Sequence, residues 1–291
     1  ERVAAALGFV PLYLPGRQME EPYASVYRGW TDLPHLLAGY RFRGLLLDVR
    51  PCTDDRPFFL DLAFGVPPLF TGLCVGAALL VVGFVAGALA WKRWRERTSP
   101  RPLVPFAAYF ACLGVGFMLV EIPLLQKLIL LLEYPTLAMA VVLAALLVGG
   151  GLGSMASQRF GAVPERGLIG ALMGVVLLTL AVGWGLPHVA PAMLGLPLVA
   201  RCAAVTALLL PLGFCLGIPF PSGVRLLARV SADDVAWMWA VNGVMSVVGS
   251  LLAAIGAKLY GFQMVSIGGV VVYCVALALV PRLGRATSTG P

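Results

Sequence analysis

From Val66 onward, long uninterrupted runs of apolar residues alternate with short turns that hold most of the charge. A bilayer core is about 30 Å thick and takes about 20 helical residues to cross. The candidate crossings are Val66–Trp91, Leu103–Leu124, Thr136–Gly153, Gly167–Leu186, Leu196–Ile218, Val235–Ala257 and Met264–Val280. Helices on the surface of a water-soluble protein would carry a polar face, and these runs have almost none. In lipid every backbone amide must be paired inside its segment or its bundle, so the runs are predicted to be helices. The expected fold class is therefore all-α membrane: a polytopic bundle of about seven transmembrane helices behind a short mixed N-terminal polar segment.

The second run is the awkward one. Apolar character continues to Leu132, with Pro123 inside and Pro135 beyond. Proline cannot donate its ladder hydrogen bond and crowds the preceding turn. The expectation is a kink or break near Glu121–Pro123, followed by a short apolar segment at an interface.

Residues 1–65 differ from the rest. They hold seven Arg and eight acidic residues, with Pro, Tyr and Trp interspersed. A short strand is expected through Gly44–Val49, around Leu45, Leu46 and Leu47. The segment is too short and irregular to make a persuasive domain alone. The predicted organisation is a polar segment over 1–65, a transmembrane bundle over 66–281 and a tail over 282–291. Because the first residue is Glu1, the chain is expected to be the C-terminal part of a longer protein. The opening residues, with Arg17, Glu20 and Glu21, do not read as a signal peptide.

Composition sharpens the class. Hydrophobic residues make up 60%, charged residues 12%, and mean hydropathy is +0.92. A soluble globular chain carries about 25% charged residues. Half that share excludes a soluble enzyme, a disordered tail and a nucleic-acid-binding domain. The net charge of +7 does not revive nucleic acid as a partner, since the basic residues sit in short clusters between apolar runs. Those clusters orient the chain instead. Lys92, Arg93, Arg95, Arg97 and Arg101 follow the first run, Arg159 and Arg166 the third, Arg225 and Arg229 the fifth, and Arg282 and Arg285 the seventh. The alternate turns hold Lys127 and Lys258, with Arg201 near one end of the fifth run. Positive loops stay cytoplasmic, so the expectation is an inner (plasma) membrane protein with its C-terminus in the cytoplasm. Seven crossings would leave residues 1–65 outside. Trp91, Trp94, Trp237 and Trp239 stand where aromatic rings favour the headgroup layer, and Ser231 with Asp234 resembles a capping box for the sixth helix.

Few groups offer chemistry. The cysteines Cys52, Cys74, Cys112, Cys202, Cys215 and Cys274 lack metal-ligand spacing and read as small packing residues; no metal site is expected. Gly149-Gly150-Gly151-Leu152-Gly153 ends a membrane helix, where the strand and helix that a nucleotide loop needs are missing. Glycines four apart, such as Gly149/Gly153, Gly170/Gly174 and Gly213/Gly217, either permit close helix approach or reflect the abundance of glycine. Glu121 is the most informative ionisable group, because a carboxylate in a membrane helix is costly. It would accept a proton, bind a cation, or pair with Lys127 or Arg201; alternatively it is an interfacial residue at the end of its run. Asn242, Ser246 and Ser250 share a helix face and either line a polar pathway or bond between helices. Glu121, Gln126, Asn242 and Ser246 form the candidate substrate or ion pathway. Asp54, Asp55 and Arg56, with Arg225, form a candidate docking or ionic motif, against a plain solvated turn.

Four segments carry a resemblance. Thr53-Asp54-Asp55-Arg56-Pro57-Phe58-Phe59, then Gly116–Ile122 with Gln126-Lys127, then Pro219–Arg225, then Trp237–Ser250 resemble, in the same order, signatures of bacterial polytopic membrane proteins related to spermidine synthase. The resemblance implies membrane helices joined to a methyltransferase-like α/β domain, of which residues 1–65 would be the tail. In true spermidine synthases that domain transfers an aminopropyl group from decarboxylated S-adenosylmethionine to putrescine. The family's cofactor-binding glycine loop and catalytic aspartate motif have no match here, so no catalytic residue is carried over and no cofactor is expected within this chain; an attached domain would use S-adenosylmethionine or its decarboxylated form. The implied role is a membrane bundle that anchors or serves such a domain, with the lipid bilayer and that upstream domain as partners. The alternative is a transporter-like protein for a small cationic metabolite such as a polyamine.

Overall fold

The structure, a computed structural model, describes residues 103–160 and 164–288, parts of an apolar helix between Thr71 and Gly87, the strands Tyr40–Phe42 and Leu45–Leu47, and Asp55. The chain divides into two compact units, Glu1–Pro68 and Leu69–Pro291. In the first, β1 (Tyr40–Phe42) pairs antiparallel with β2 (Leu45–Leu47), setting Tyr40 opposite Leu47 and Arg41 opposite Leu46. The predicted strand is thus present but shorter, and its partner is the preceding Tyr-Arg-Phe.

The second unit is helical among its described residues. It comprises α1 (Thr71–Gly83), α2 (Val104–Leu132), α3 (Pro135–Ser157), α4 (Pro164–Leu194), α5 (Leu198–Gly217), α6 (Pro219–Val230), α7 (Val235–Tyr260) and α8 (Phe262–Ser288). Among the described residues, six helical stretches are long and apolar enough to cross a membrane. This unit is an all-α bundle of multi-pass membrane character.

Helix α2 runs unbroken through Pro123, contrary to the expected break. A break in lipid would strand several backbone groups, whereas continuing forfeits the one bond that proline cannot donate. The same logic carries α4 through Pro187 and Pro191, beyond the predicted end at Leu186. His188 therefore lies on α4, with Nδ1 2.9 Å from the Trp184 carbonyl oxygen. The predicted capping box does not form: Ser231 is extended and opens a 3₁₀ turn, Ala232–Asp234, and neither it nor Asp234 makes a side-chain cap hydrogen bond.

Helix α2 is the centre of the bundle. Phe106, Tyr109, Phe110, Leu128 and Leu132 on it are fully buried, and they join Leu168, Leu172, Leu209, Leu226 and Leu283 from four other helices in one core. Two seams are built on glycine. Along α3 and α5, a Cβ on Gly149 would meet the Leu210 carbonyl oxygen at 2.5 Å, and one on Gly213 the Leu146 carbonyl oxygen at 2.8 Å. Gly153 and Gly217 abut Phe214 and Gly150 more closely still. Along α2 and α7, Gly114 abuts Asn242, and Gly249 would place a Cβ 2.9 Å from the Val115 Cα. Only glycine lets backbones approach this closely. By contrast, Gly170 meets nothing within 4 Å.

Candidate functional site

Two of the four resemblance segments meet at Phe220 and Trp239, and a third touches α7 farther along, at Met118 and Gly249. Helix α2 carries Gly116–Ile122, α6 carries Pro219–Arg225 and α7 carries Trp237–Ser250. The buried Tyr109 hydroxyl donates to the Pro219 carbonyl oxygen at 2.9 Å. Gly223 lies under the same ring, where a Cβ would come 2.6 Å from Tyr109 Cε1 and 3.1 Å from Phe110 Cζ. The rings of Tyr109, Phe110, Phe220 and Trp239 form a chain of edge contacts with centroid separations of 5.5, 5.2 and 4.9 Å. Such edge-to-face pairs contribute about 0.5–1.5 kcal/mol each beyond area burial. They tie the short helix α6 to both α2 and α7.

Asn242 and Ser246 belong to this seam. The Asn242 side-chain amide donates to the Phe110 carbonyl oxygen at 3.1 Å, and the Ser246 hydroxyl donates to the Asn242 carbonyl oxygen at 2.9 Å. Ser250 bonds the Val247 carbonyl oxygen of its own helix. These groups make no hydrogen bond to Glu121, which stands about 16 Å farther along α2 than Phe110 at the standard rise.

Glu121 occupies a different position from that suggested by a broken helix. Because α2 is continuous over 29 residues, Glu121 stands roughly three-fifths of the way along it, well inside the span at a constant rise. The carboxylate is half-buried. It pairs with neither expected cation. Lys127 Nζ donates to Gln263 Oε1 at 2.5 Å, and Arg201 is bonded to Glu133, Leu131 and Leu196. Across from Glu121 on α8, the nearly fully buried Tyr273 lies in Coulombic range. Its ring packs over Gly116, where a Cβ would come 3.0 Å from Cε2. Gly269 on α8 faces Val120 and Leu119 in the same way. Gln126 is exposed on the bundle surface and joins neither group.

Arg225 lies at the end of the bundle where α3 stops. Its Nη2 donates to the Ser157 carbonyl oxygen at 2.8 Å and the Ser222 hydroxyl at 3.1 Å. Asp54 and Arg56, its suggested companions, lie outside the described residues; Asp55 is in a turn.

Some participants left little trace in the sequence. Tyr109 and Tyr273 are single aromatics in apolar runs, and nothing local marks them as partners of Pro219 and Gly116. Ser222 and Arg225 are three apart, which puts them on one helix face; that spacing is the available signal. Among the described residues no group of three His, Cys, Asp or Glu could hold a metal ion. Comparison with family models, curated proteins and solved structures found no match to this chain.

Proposed function

We propose that this chain is the integral membrane bundle of a protein related to spermidine synthase, anchoring and serving an aminopropyltransferase- or methyltransferase-like domain. The supporting observation is that the resemblance segments of α6 and α7 meet at Phe220 and Trp239, and those of α7 and α2 at Gly249 and Met118. Residues that carry the likeness thereby take part in the packing of α2, α6 and α7. In this reading the Arg-rich turns and the C-terminus face the cytoplasm of a bacterial inner membrane, and residues 1–65 continue an upstream α/β domain. The chain supplies no catalytic residue to that domain.

The test is an assay of the full-length protein in membranes with putrescine and decarboxylated S-adenosylmethionine, with spermidine read by mass spectrometry. Spermidine above a heat-treated control supports the transferase role; none sinks it.

A second reading rests on Glu121. A carboxylate within a span, with no paired cation among the described residues, is a functional position by default. In this reading Glu121 binds a proton or a small cationic metabolite and the bundle carries it across. Polyamine uptake into proteoliposomes is the measurement. Flux that disappears in Glu121→Gln supports transport through this group, and unchanged flux removes it from the mechanism.

A further inference from the structure

Within the helical unit the described carboxylates are not spread evenly. Glu165 lies in the first turn of α4, Asp233 and Asp234 sit in the 3₁₀ turn before α7, and Glu133 follows the last residue of α2. All four stand at helix ends. Glu121 is the described carboxylate in the body of a helix, about 18 Å along α2 from Glu133 at the standard rise. The neighbouring helix gives the same position. Val120 packs on Gly269, and Gly269 lies about 10 Å into α8 from Phe262.

Titratable groups near Glu121 are few. From α8 Tyr273 is in Coulombic range. On α2 itself Lys127 lies about 9 Å farther along and Cys112 about 14 Å back; Lys127 donates to Gln263. Helix α7 contributes Lys258 at its far end, and where it meets α2 it presents Gly249 to Met118. Among the described residues no ion pair reaches Glu121. An isolated carboxylate kept from water is costly, and taking up a cation removes the charge.

The ligands on offer decide which cation. A hard metal ion takes about six or more oxygen ligands. Sites for such ions within membranes draw on unwound main-chain carbonyls and half-helix ends. Helices α2, α7 and α8 are unwound nowhere near Glu121. Pro123 frees a single carbonyl, that of Leu119, and the Asn242 amide and Ser246 hydroxyl already bond main-chain carbonyls. A polyamine carries at least two ammonium groups and would leave one of them without a carboxylate at this level. A proton needs one carboxyl oxygen and nothing else.

We propose that the cation taken by Glu121 is a proton. The inference rests on the second reading above, in which Glu121 is the working group, and names its ion.

The experiment uses dicyclohexylcarbodiimide, an apolar reagent that enters lipid, on the whole chain in phosphatidylcholine nanodiscs. A protonated carboxyl adds across its C=N bond, the proton passing to nitrogen and the oxygen to carbon, with no leaving group. The ionised form does not add. Adducts are located by peptide mass spectrometry, with Glu121→Gln to identify the labelled peptide. Wild type should be labelled at Glu121, and the rate should fall by about tenfold per unit as pH is raised through the ionisation of the group. At fixed pH and ionic strength, exchanging choline chloride for sodium chloride or for putrescine dihydrochloride should leave the rate unchanged. Absence of adduct at Glu121 overturns the proposal, as does a rate indifferent to pH. Slower labelling in sodium overturns it in favour of a metal cation, and slower labelling in putrescine in favour of an amine. The labelling is read on the protein itself. Absence of polyamine flux in wild-type proteoliposomes would therefore remove polyamine transport and leave the proton assignment standing.

Discussion

The side-chain amide of Asn242 donates to the main-chain carbonyl of Phe110 at 3.1 Å, linking α7 to α2 where Gly114 brings the two backbones together. The bond spends the most polar side chain of the α7 seam on a neighbouring helix. Its contribution can be isolated by replacing the amide with a side chain of similar volume. Asn242→Leu should lower bundle stability by about 0.6 kcal/mol and by no more than about 1.7 kcal/mol, the range for interhelical bonds in lipid. Unfolding in mixed micelles of increasing denaturing detergent gives the value; a variant as stable as wild type would show that the bond adds nothing.

Glycine positions should separate into two groups. Gly213→Ala places a methyl against the Leu146 carbonyl, and overpacking of this kind costs about 1–3 kcal/mol. Gly170→Ala enters open space and should be neutral or slightly stabilising, since alanine gains helix propensity over glycine. Thermal shifts measured on the two variants side by side check this. Equal effects would remove the case for a sterically required seam between α3 and α5.

Arg201 and Glu133 form a clamp at the end of α2. The ion pair measures 2.6 Å, with Arg201 buried and Glu133 half exposed, and Arg201 also donates to the Leu131 carbonyl oxygen at 2.8 Å. Glu133 has φ +66°, a conformation that favours glycine. Glu133→Ala and Glu133→Gly both remove the ion pair, but only glycine adopts this φ freely. Glu133→Gly should therefore be the more stable of the two by about 1 kcal/mol. Arg201→Gln should cost more than either, because it also strips a carbonyl at the helix end of its donor. Melting temperatures of the three variants give the order, and any other order contradicts this description of the clamp.

Glu121 can be tested for folding separately from function. Its carboxylate pairs with neither Lys127 nor Arg201, so its removal breaks no ion pair with them. Glu121→Gln should leave stability unchanged or raise it, since a charge within a span is costly. A marked fall in melting temperature would mean that the carboxylate holds the bundle together, and it would count against a transport role.

Sidedness has a direct measurement. A reporter placed after Pro291 should be active only in the cytoplasm if the arginines at the ends of α3, α6 and α8 follow the positive-inside bias. A second reporter before Val66 then counts the crossings. Opposite sides mean an odd number and place residues 1–65 outside. The same side means an even number and leaves an attached domain within reach of cytoplasmic adenosyl cofactors.

The apolar runs alone fixed that this chain spans lipid with several helices, because hydrophobic length against bilayer thickness is a one-dimensional property. Charge in the turns likewise proposes an orientation without any knowledge of packing. Where the helices stop was less legible. Pro123 and Pro187 look like breaks when helix propensity in water is the guide, yet α2 and α4 pass through both, since lipid penalises the broken ladder more than the missing bond. That continuity moved Glu121 from the end of a run into the body of a span.

Which polar groups meet was decided by the tertiary structure. Periodicity puts Asn242 and Ser246 on one face of α7, but it does not say that Phe110 receives the amide or that Glu121 lies about 16 Å farther along α2. Glycines four apart look alike in the sequence; only the crossing of α3 and α5 separates Gly213, pressed on Leu146, from Gly170, which faces open space. A residue's own helix is set by local pattern and solvent, whereas its partner is set by how whole helices cross, and that depends on contacts between residues far apart in the chain.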